Sequence, residues 1–157
     1  MQAYRTILIV LHVLSAVIGI GATFTFGVLG SLQGRIQGEG ALALLEAADA
    51  IEKRIVNPLA LGLLPLTGAL MIFARGWSTN FWSHTWLLIS IVLYIIGAGM
   101  ATGVLAPGTR KLIDLTKKGQ AGSPEFGREV GIQQKVGPLL NLIAAAIVVL
   151  MVWKPGS

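Results

Sequence analysis

Residues 6–31 read TILIVLHVLSAVIGIGATFTFGVLGS, an apolar run without a single Asp, Glu, Lys or Arg. The uncharged stretch that contains this run lasts 29 residues, from Arg5 to Arg35. About 20 apolar residues in an α-helix are enough to cross the hydrocarbon core of a bilayer. The sequence therefore predicts a membrane-spanning helix near Thr6–Ser31. The run is longer than the core of a typical signal peptide and no A-x-A cleavage signal follows it, so we expect it to be retained.

Three further uncharged stretches follow, of 20, 34 and 18 residues. Each can hold one crossing, which places the other spans near Ile55–Ala74, Thr85–Ala106 and Val136–Trp153. Composition agrees, because 54% of the 157 residues are hydrophobic and only 12% are charged, half the share of an average soluble domain. The predicted fold is an all-α, four-helix transmembrane bundle that forms a single integral membrane domain over residues 1–157.

Basic residues are divided unequally between the two sides of these spans. Three lie on the side that holds both termini and the 2–3 loop, whereas nine lie in the 1–2 and 3–4 loops. The positive-inside rule then places those two loops in the cytoplasm and both termini on the outer side of a bacterial plasma (inner) membrane. Trp77, Trp82, Trp86 and Trp153 fall at the outer interface, where aromatic residues are enriched. The net charge of +5 thus reflects orientation in a bilayer and does not indicate a nucleic-acid surface.

A weak internal repeat runs through the chain. Residues 56–59 (VNPL) match residues 136–139 (VGPL) at an offset of 80, and residues 18–21 (IGIG) match residues 96–99 (IGAG) at an offset of 78. Matched prolines and glycines at nearly equal offsets favour two tandem helical hairpins, related by a pseudo-two-fold axis along the membrane normal. The alternative is chance matching among apolar residues.

Signals for helix ends lie in the two charged loops. Helical spacing of apolar residues over residues 41–57 predicts an extension of the second span into the cytoplasm. Pro107-Gly108 is expected to break the helix of the third span. Ser123-Pro124 looks like an N-cap and a first-turn proline, which predicts a helix that runs from there through the fourth span.

Small residues form a ridge on the first predicted span, at positions four apart. They are Ser15, Gly19, Thr23 and Gly27. Such ridges let membrane helices approach closely, and Gly99 and Gly103 offer the same spacing on the third span. We interpret both as packing faces within the bundle, with oligomerisation as the alternative.

His12 is the strongest candidate for chemistry within the membrane. It is expected to share the inward face of the first span with Ser15 and Gly19, at a depth of about 10 Å that is similar to that of Thr67. A neutral imidazole there either hydrogen-bonds to Thr67 or a backbone carbonyl, or ligates haem b or a metal, with the glycines opposite leaving room for a flat macrocycle. Asn141 is expected to bridge helices.

Motifs along nearly the whole chain carry a family resemblance. They are Leu11-His12, Gly19 and Gly21, Pro58, Thr67-Gly68, Trp86, Pro107 near Arg110, and residues 151–156 (MVWKPG). With these motifs the chain resembles a bacterial family of predicted integral membrane proteins defined as a domain of unknown function. It is similar, more distantly, to the copper-resistance-D-like membrane proteins and to the four-helix membrane protoporphyrinogen oxidase.

The resemblance to those two distant groups implies a metal- or haem-binding role for a first-helix histidine, which His12 matches. The oxidase is also associated with an essential intramembrane lysine. The third span here has no Lys or Arg between Arg75 and Arg110, which argues against that activity.

The sparse polar residues and the small-residue faces favour a non-catalytic accessory or assembly subunit of a larger membrane complex. Its expected partners are the lipid bilayer and other membrane subunits, and no catalytic residue is predicted. The alternative is a membrane redox protein that binds haem b or a metal, with His12 as axial ligand and Thr67 as its neighbour. An enzyme is the third interpretation.

Overall fold

The computed structural model describes residues 2–26, 39–77 and 81–155. Within these ranges the chain forms four long helices and no strand: α1 Gln2–Phe26, α2 Glu39–Ala74, α3 Thr85–Lys117 and α4 Pro124–Trp153. Each helix is long and apolar enough to cross a membrane. The predicted all-α, four-span fold is confirmed, and residues 27–31 of the first predicted span lie outside the described residues.

Large apolar side chains cover the outside of the bundle. Val17, Phe73, Leu142 and Val152 have relative exposures of 64%, 70%, 67% and 80%. At most 22% of the apolar window of any one helix is buried within the chain. Soluble proteins rarely expose contiguous apolar patches of this extent, and a bilayer supplies the apolar surroundings that such side chains need.

One end of the bundle is built from aromatic residues. Trp77, just after α2, contacts Trp86 in the first turn of α3, with ring centroids 5.4 Å apart in an edge-on arrangement. Lys154 Nζ, just after α4, lies 5.8 Å from the centre of the Trp86 ring. The last turn of α2, the first turn of α3 and the last turn of α4 therefore meet here. We call this the tryptophan end.

At the opposite end, α2 and α3 extend beyond their uncharged stretches and pack against each other. Leu45 of α2 and Leu112 of α3 are both fully buried there. Lys111 Nζ lies 2.8 Å from Glu125 Oε1 in the first turn of α4, and this bond lowers the pKa of the Glu125 carboxyl. We call this the charged end. The predicted helical extension over residues 41–57 is confirmed.

Pro107 does not break the helix of the third span, so that prediction is wrong. Helix α3 runs on to Lys117 without interruption. Pro107 directly follows a π-helical segment, Ala101–Leu105, and stands in the first turn of the resumed α-helix, where a missing N–H costs least. Beyond it, burial of Leu112 and Leu115 stabilises the extension.

The predicted start of α4 is confirmed. The Ser123 hydroxyl accepts a hydrogen bond from the Phe126 amide at 3.2 Å, and Pro124 occupies the first helical position. From there α4 runs as regular α-helix to Trp153. Helices α1 and α2 pack together, as do α3 and α4, in line with two consecutive hairpins. The two-fold relation between these hairpins stays a prediction.

Candidate functional site

His12 of α1 lies against α2 at Thr67. Its Nδ1 is 3.0 Å from Thr67 Oγ1 and 3.0 Å from the carbonyl oxygen of Leu64. A carbonyl oxygen can only accept, so Nδ1 carries the proton in this arrangement and donates it. The Thr67 hydroxyl is in turn 2.7 Å from the Leu63 carbonyl, to which it donates its own proton. The structure therefore brings the two residues together as a hydrogen-bonded pair that ties α1 to α2.

The other ring nitrogen of His12, Nε2, keeps its lone pair in this tautomer. It makes no hydrogen bond to any residue in the described ranges. An imidazole held at Nδ1 by a backbone carbonyl, with Nε2 left over, has the arrangement commonly seen in metal-ligating histidines. Within residues 2–26, 39–77 and 81–155, however, no three His, Cys, Asp or Glu side chains gather into a metal-binding group.

The glycines Gly68 of α2 and Gly19 of α1 do not leave the space that a macrocycle would need. A Cβ placed on Gly68 would lie 3.2 Å from His12 Cε1, so the missing side chain makes room for the imidazole itself. A Cβ on Gly19 would lie 2.9 Å from the backbone nitrogen of Ala60. Both glycine faces are filled by protein atoms, and the expectation of an open slot beside His12 is wrong.

Two of the three described positions of the small-residue ridge on α1 are buried. Ser15 is 1% exposed, and Gly19 lies where the backbones of the two helices approach closely. Thr23 is partly exposed, and its hydroxyl donates back to the Ile20 carbonyl at 2.6 Å. Gly27 lies outside the described residues. The close approach of α1 and α2 is thus centred on Gly19.

The glycines of α3 divide differently from the prediction. Gly99 and Gly103 are exposed, and a Cβ on either would meet nothing within 4 Å, so packing of these two residues within the bundle is wrong. Gly97 faces α4 instead, where a Cβ would lie 3.3 Å from Leu140 Cδ1. A two-residue shift turns a helix by about 200°, so the predicted and the observed faces are nearly opposite.

Sequence reasoning missed a cavity of about 370 Å³ between the four helices. Its walls are largely apolar, and its polar lining includes Glu52, Asn57, Tyr94, Gln133, Gln134 and Asn141. Asn141 makes no hydrogen bond to the described part of the chain, so the expectation that it bridges helices is wrong. His12 does not line the cavity, which makes the cavity and the His12–Thr67 pair separate sites.

Tyr94 forms the polar contact between α2 and α3 at this cavity. Its hydroxyl donates to the Ala60 carbonyl at 2.9 Å. Helix α2 is π-helical here, and the Leu64 amide donates five residues back to Leu59. The next bond in that register would run from residue 65 to Ala60, but Pro65 has no N–H. Tyr94 therefore supplies the donor that Pro65 withholds. The prolines Pro58 and Pro65 were the sequence signal for freed carbonyls in this segment.

Taken together, the four helices, their lipid-compatible surface and their separated charged and aromatic ends define an integral membrane protein. Over residues 6–155 the chain matches the family described as "Predicted integral membrane protein (DUF2269)", and it belongs to that family. No curated protein and no solved structure matches the chain. Similarity to copper-resistance-D-like proteins and to the protoporphyrinogen oxidase stays a prediction.

Proposed function

We propose that this protein is a non-catalytic accessory or assembly subunit of a larger membrane complex. The observation that carries the proposal is the exposed glycine face of α3, formed by Ile96, Gly99 and Gly103. Nothing in the described chain lies within 4 Å of a Cβ placed on either glycine. A glycine face of this kind allows another membrane helix to approach its backbone closely.

The polar residues within the spans also support this proposal. The His12 imidazole and the Thr67 hydroxyl are bonded to each other and to α2 carbonyls. The Ser15 and Ser90 hydroxyls bond the carbonyls of Leu11 and Trp86 in their own helices. Each of these four side chains therefore has a hydrogen-bond partner within the bundle, as expected in a structural subunit.

Photo-crosslinking in intact membranes tests the proposal. A photoreactive residue replacing Ile96 should crosslink to one recurring membrane protein, and the same residue replacing Val17, which is 64% exposed on α1, should not. Adding Gly103→Leu should remove the crosslink because the partner helix can no longer approach, while the heat stability of the isolated chain stays unchanged. Crosslinks only to lipid, or only to a second copy of this chain, would contradict an accessory role.

A second candidate function is ligation of haem b or a metal ion by His12. The observation that favours it is the anchored Nδ1, which leaves Nε2 as the lone-pair nitrogen. Since Gly19 and Gly68 are both filled by protein atoms, a macrocycle would have to lie outside the α1–α2 pair. A bound haem would supply one-electron chemistry, and His12 would hold the iron through Nε2.

Absorbance spectroscopy and elemental analysis of protein purified from haem-replete cells separate the two candidates. Haem ligation predicts a Soret band that is lost in His12→Ala and that Thr67→Val shifts, because the imidazole loses its neighbour. A packing role predicts colourless, metal-free protein, in which His12→Gln retains more heat stability than His12→Ala. Colourless, metal-free wild-type protein would exclude the haem and metal function.

A further inference from the structure

The largely apolar cavity between the four helices is separate from both the glycine face of α3 and the His12–Thr67 pair. Its volume of about 370 Å³ lies in the range of small-molecule sites, roughly 300–1,000 Å³. We propose that this cavity binds a small amphipathic amine, a monocation whose charged group lies at Glu52 and whose apolar body lies against the apolar walls that the four helices provide.

Charge is the first argument for a cationic ligand. Glu52 contributes a carboxyl group to the lining, whereas no Lys, Arg or His from the described ranges lines the cavity. This contrasts with the surrounding charged end, where most of the 12 basic residues of the chain lie. A cavity that is lined by an acidic side chain and by no basic side chain of the described residues favours a positively charged ligand over an anionic one.

The ion pairs around the cavity leave the Glu52 carboxyl available to pair with a cationic ligand. Arg110 and Lys53 are near enough to act on Glu52 electrostatically, but both form their ion pairs with Asp49. Lys111 pairs instead with acids in the first turns of α4. Glu52 forms no ion pair with any residue that the structure describes, although it is partly buried. A carboxylate in that position gains from an incoming ammonium group.

Hydrogen-bonding groups converge on the same space. The Asn57 carboxamide lies beside the Glu52 carboxyl. Asn141, on α4, also faces the cavity, and its carboxamide has no partner within the described chain. An ammonium group donates up to three hydrogen bonds and accepts none, so it suits carboxylate and amide oxygens. Apolar residues such as Val56, Ile143 and Ile147 provide the surface for an apolar body.

Backbone geometry gives independent support. The described chain contains three π-helical segments, Ala16–Ile20, Glu52–Leu63 and Ala101–Leu105, and each contributes residues to the lining. In a regular α-helix, residues 52 and 57 would point about 140° apart. The i→i+5 register brings residues five apart onto one face, so Glu52 and Asn57 both face the cavity. π-Helical turns are uncommon and occur frequently at functional sites.

Three probes of similar shape and different charge test this proposal on the purified full-length chain in detergent. They are 4-phenylbutylamine, 4-phenylbutanol and 4-phenylbutyrate. Equilibrium dialysis measures the binding of each probe. Saturable binding of the amine, about tenfold tighter than that of the alcohol, is expected from one hydrogen-bonded charge pair. The carboxylate should bind least. Absence of saturable binding, or equal affinity for all three probes, would overturn the proposal.

Variants locate the site. Glu52→Gln should remove the preference for the amine over the alcohol, whereas Glu125→Gln, which changes an acid outside the cavity, should leave it intact. Asn141→Leu retains the charge of Glu52 and should weaken the binding of the amine and that of the alcohol by similar factors. An amine preference that survives Glu52→Gln would place the cation elsewhere and contradict the proposed site. If Glu52→Gln does not fold, the comparison of the three probes on the wild-type chain still decides the ligand class.

Discussion

Some glycine residues in this bundle lie against a neighbouring helix and others lie in open space, and their positions in the sequence do not distinguish the two groups. Gly19 lies against the backbone of Ala60, whereas a Cβ added to Gly21, two residues later in the same helix, would meet nothing within 4 Å. A backbone neighbour cannot rotate away as a side chain can. The tolerance of each position to a methyl group therefore measures helix contact directly.

Gly19→Ala should lower the free energy of unfolding by about 1–3 kcal/mol, because the added methyl group overpacks the contact between α1 and α2. Gly21→Ala is the matched control, and it should be neutral or raise stability by up to about 1 kcal/mol, since alanine is the better helix former. Unfolding in mixed micelles, followed by circular dichroism, gives both values. Equal effects of the two substitutions would show that α1 does not approach α2 at Gly19.

Tyr94→Phe should destabilise the bundle by about 0.6 kcal/mol and by no more than about 1.7 kcal/mol, the average and the maximum measured for hydrogen bonds between membrane helices. The substitution keeps the ring and leaves the Ala60 carbonyl without its donor. Tyr4→Phe is a suitable control, because Tyr4 is 52% exposed near the N-terminus of α1. The same unfolding assay measures both variants. If Tyr94→Phe lowers the free energy of unfolding no more than Tyr4→Phe does, the hydrogen bond from Tyr94 to Ala60 does not stabilise the bundle.

At the scale of the element, α2 combines a long π-helical segment with two prolines. Pro58 lies inside the segment Glu52–Leu63, and Pro65 follows directly after it. Proline removes a backbone donor wherever it stands in a helix. In the membrane a freed carbonyl needs another donor, and for Ala60 that donor comes from α3. The local backbone of α2 and the pairing of α2 with α3 are therefore linked.

Pro65→Ala should weaken that link, because an amide at position 65 can donate to Ala60 in place of the Tyr94 hydroxyl. Tyr94→Phe should then cost less in the Pro65→Ala background than in the wild type, a coupling energy of about 0.5 kcal/mol or more in a double-mutant cycle. Strictly additive effects of the two substitutions would argue against a shared acceptor.

At the scale of the whole molecule, charge and aromatic residues are separated along the bundle axis. The ion pairs between α2, α3 and α4 gather at the charged end, and Trp77 and Trp86 pack together at the tryptophan end. Within the described residues, Gln2 at the start of α1 and Trp153 at the end of α4 both belong to the side of the bundle that holds the tryptophan end. Basic residues near span ends set orientation, so the charged end is predicted to face the cytoplasm.

Cysteine labelling tests this orientation, because the chain has no cysteine of its own. Ser83→Cys, exposed at the tryptophan end, should react with a membrane-impermeant maleimide in intact cells. Gln120→Cys, exposed in the turn between α3 and α4, should react only after lysis. The reverse pattern would overturn the orientation of both termini.

The sequence by itself determined the number and approximate limits of the spans and the start of α4. Each of these depends on local properties: the transfer of an uncharged run of about 20 residues into lipid, and the capping of one helix end by Ser123. The pairing of His12 with Thr67 was also predictable, since residues at equal depth on neighbouring inward faces are candidates for contact. The sequence did not identify the backbone carbonyl that also accepts from His12, which is that of Leu64.

Tertiary structure alone decided how each helix is rotated about its axis. The spacing of Gly97, Gly99 and Gly103 fits several faces, and contact with Leu140 of α4 selects Gly97. Likewise, Glu52 and Asn141 are 89 residues apart in the sequence, and they line one cavity only because the helices that carry them pack around it. Transfer into lipid depends on the composition of a segment, whereas rotation depends on the shape of its neighbours, which no single segment of the sequence contains.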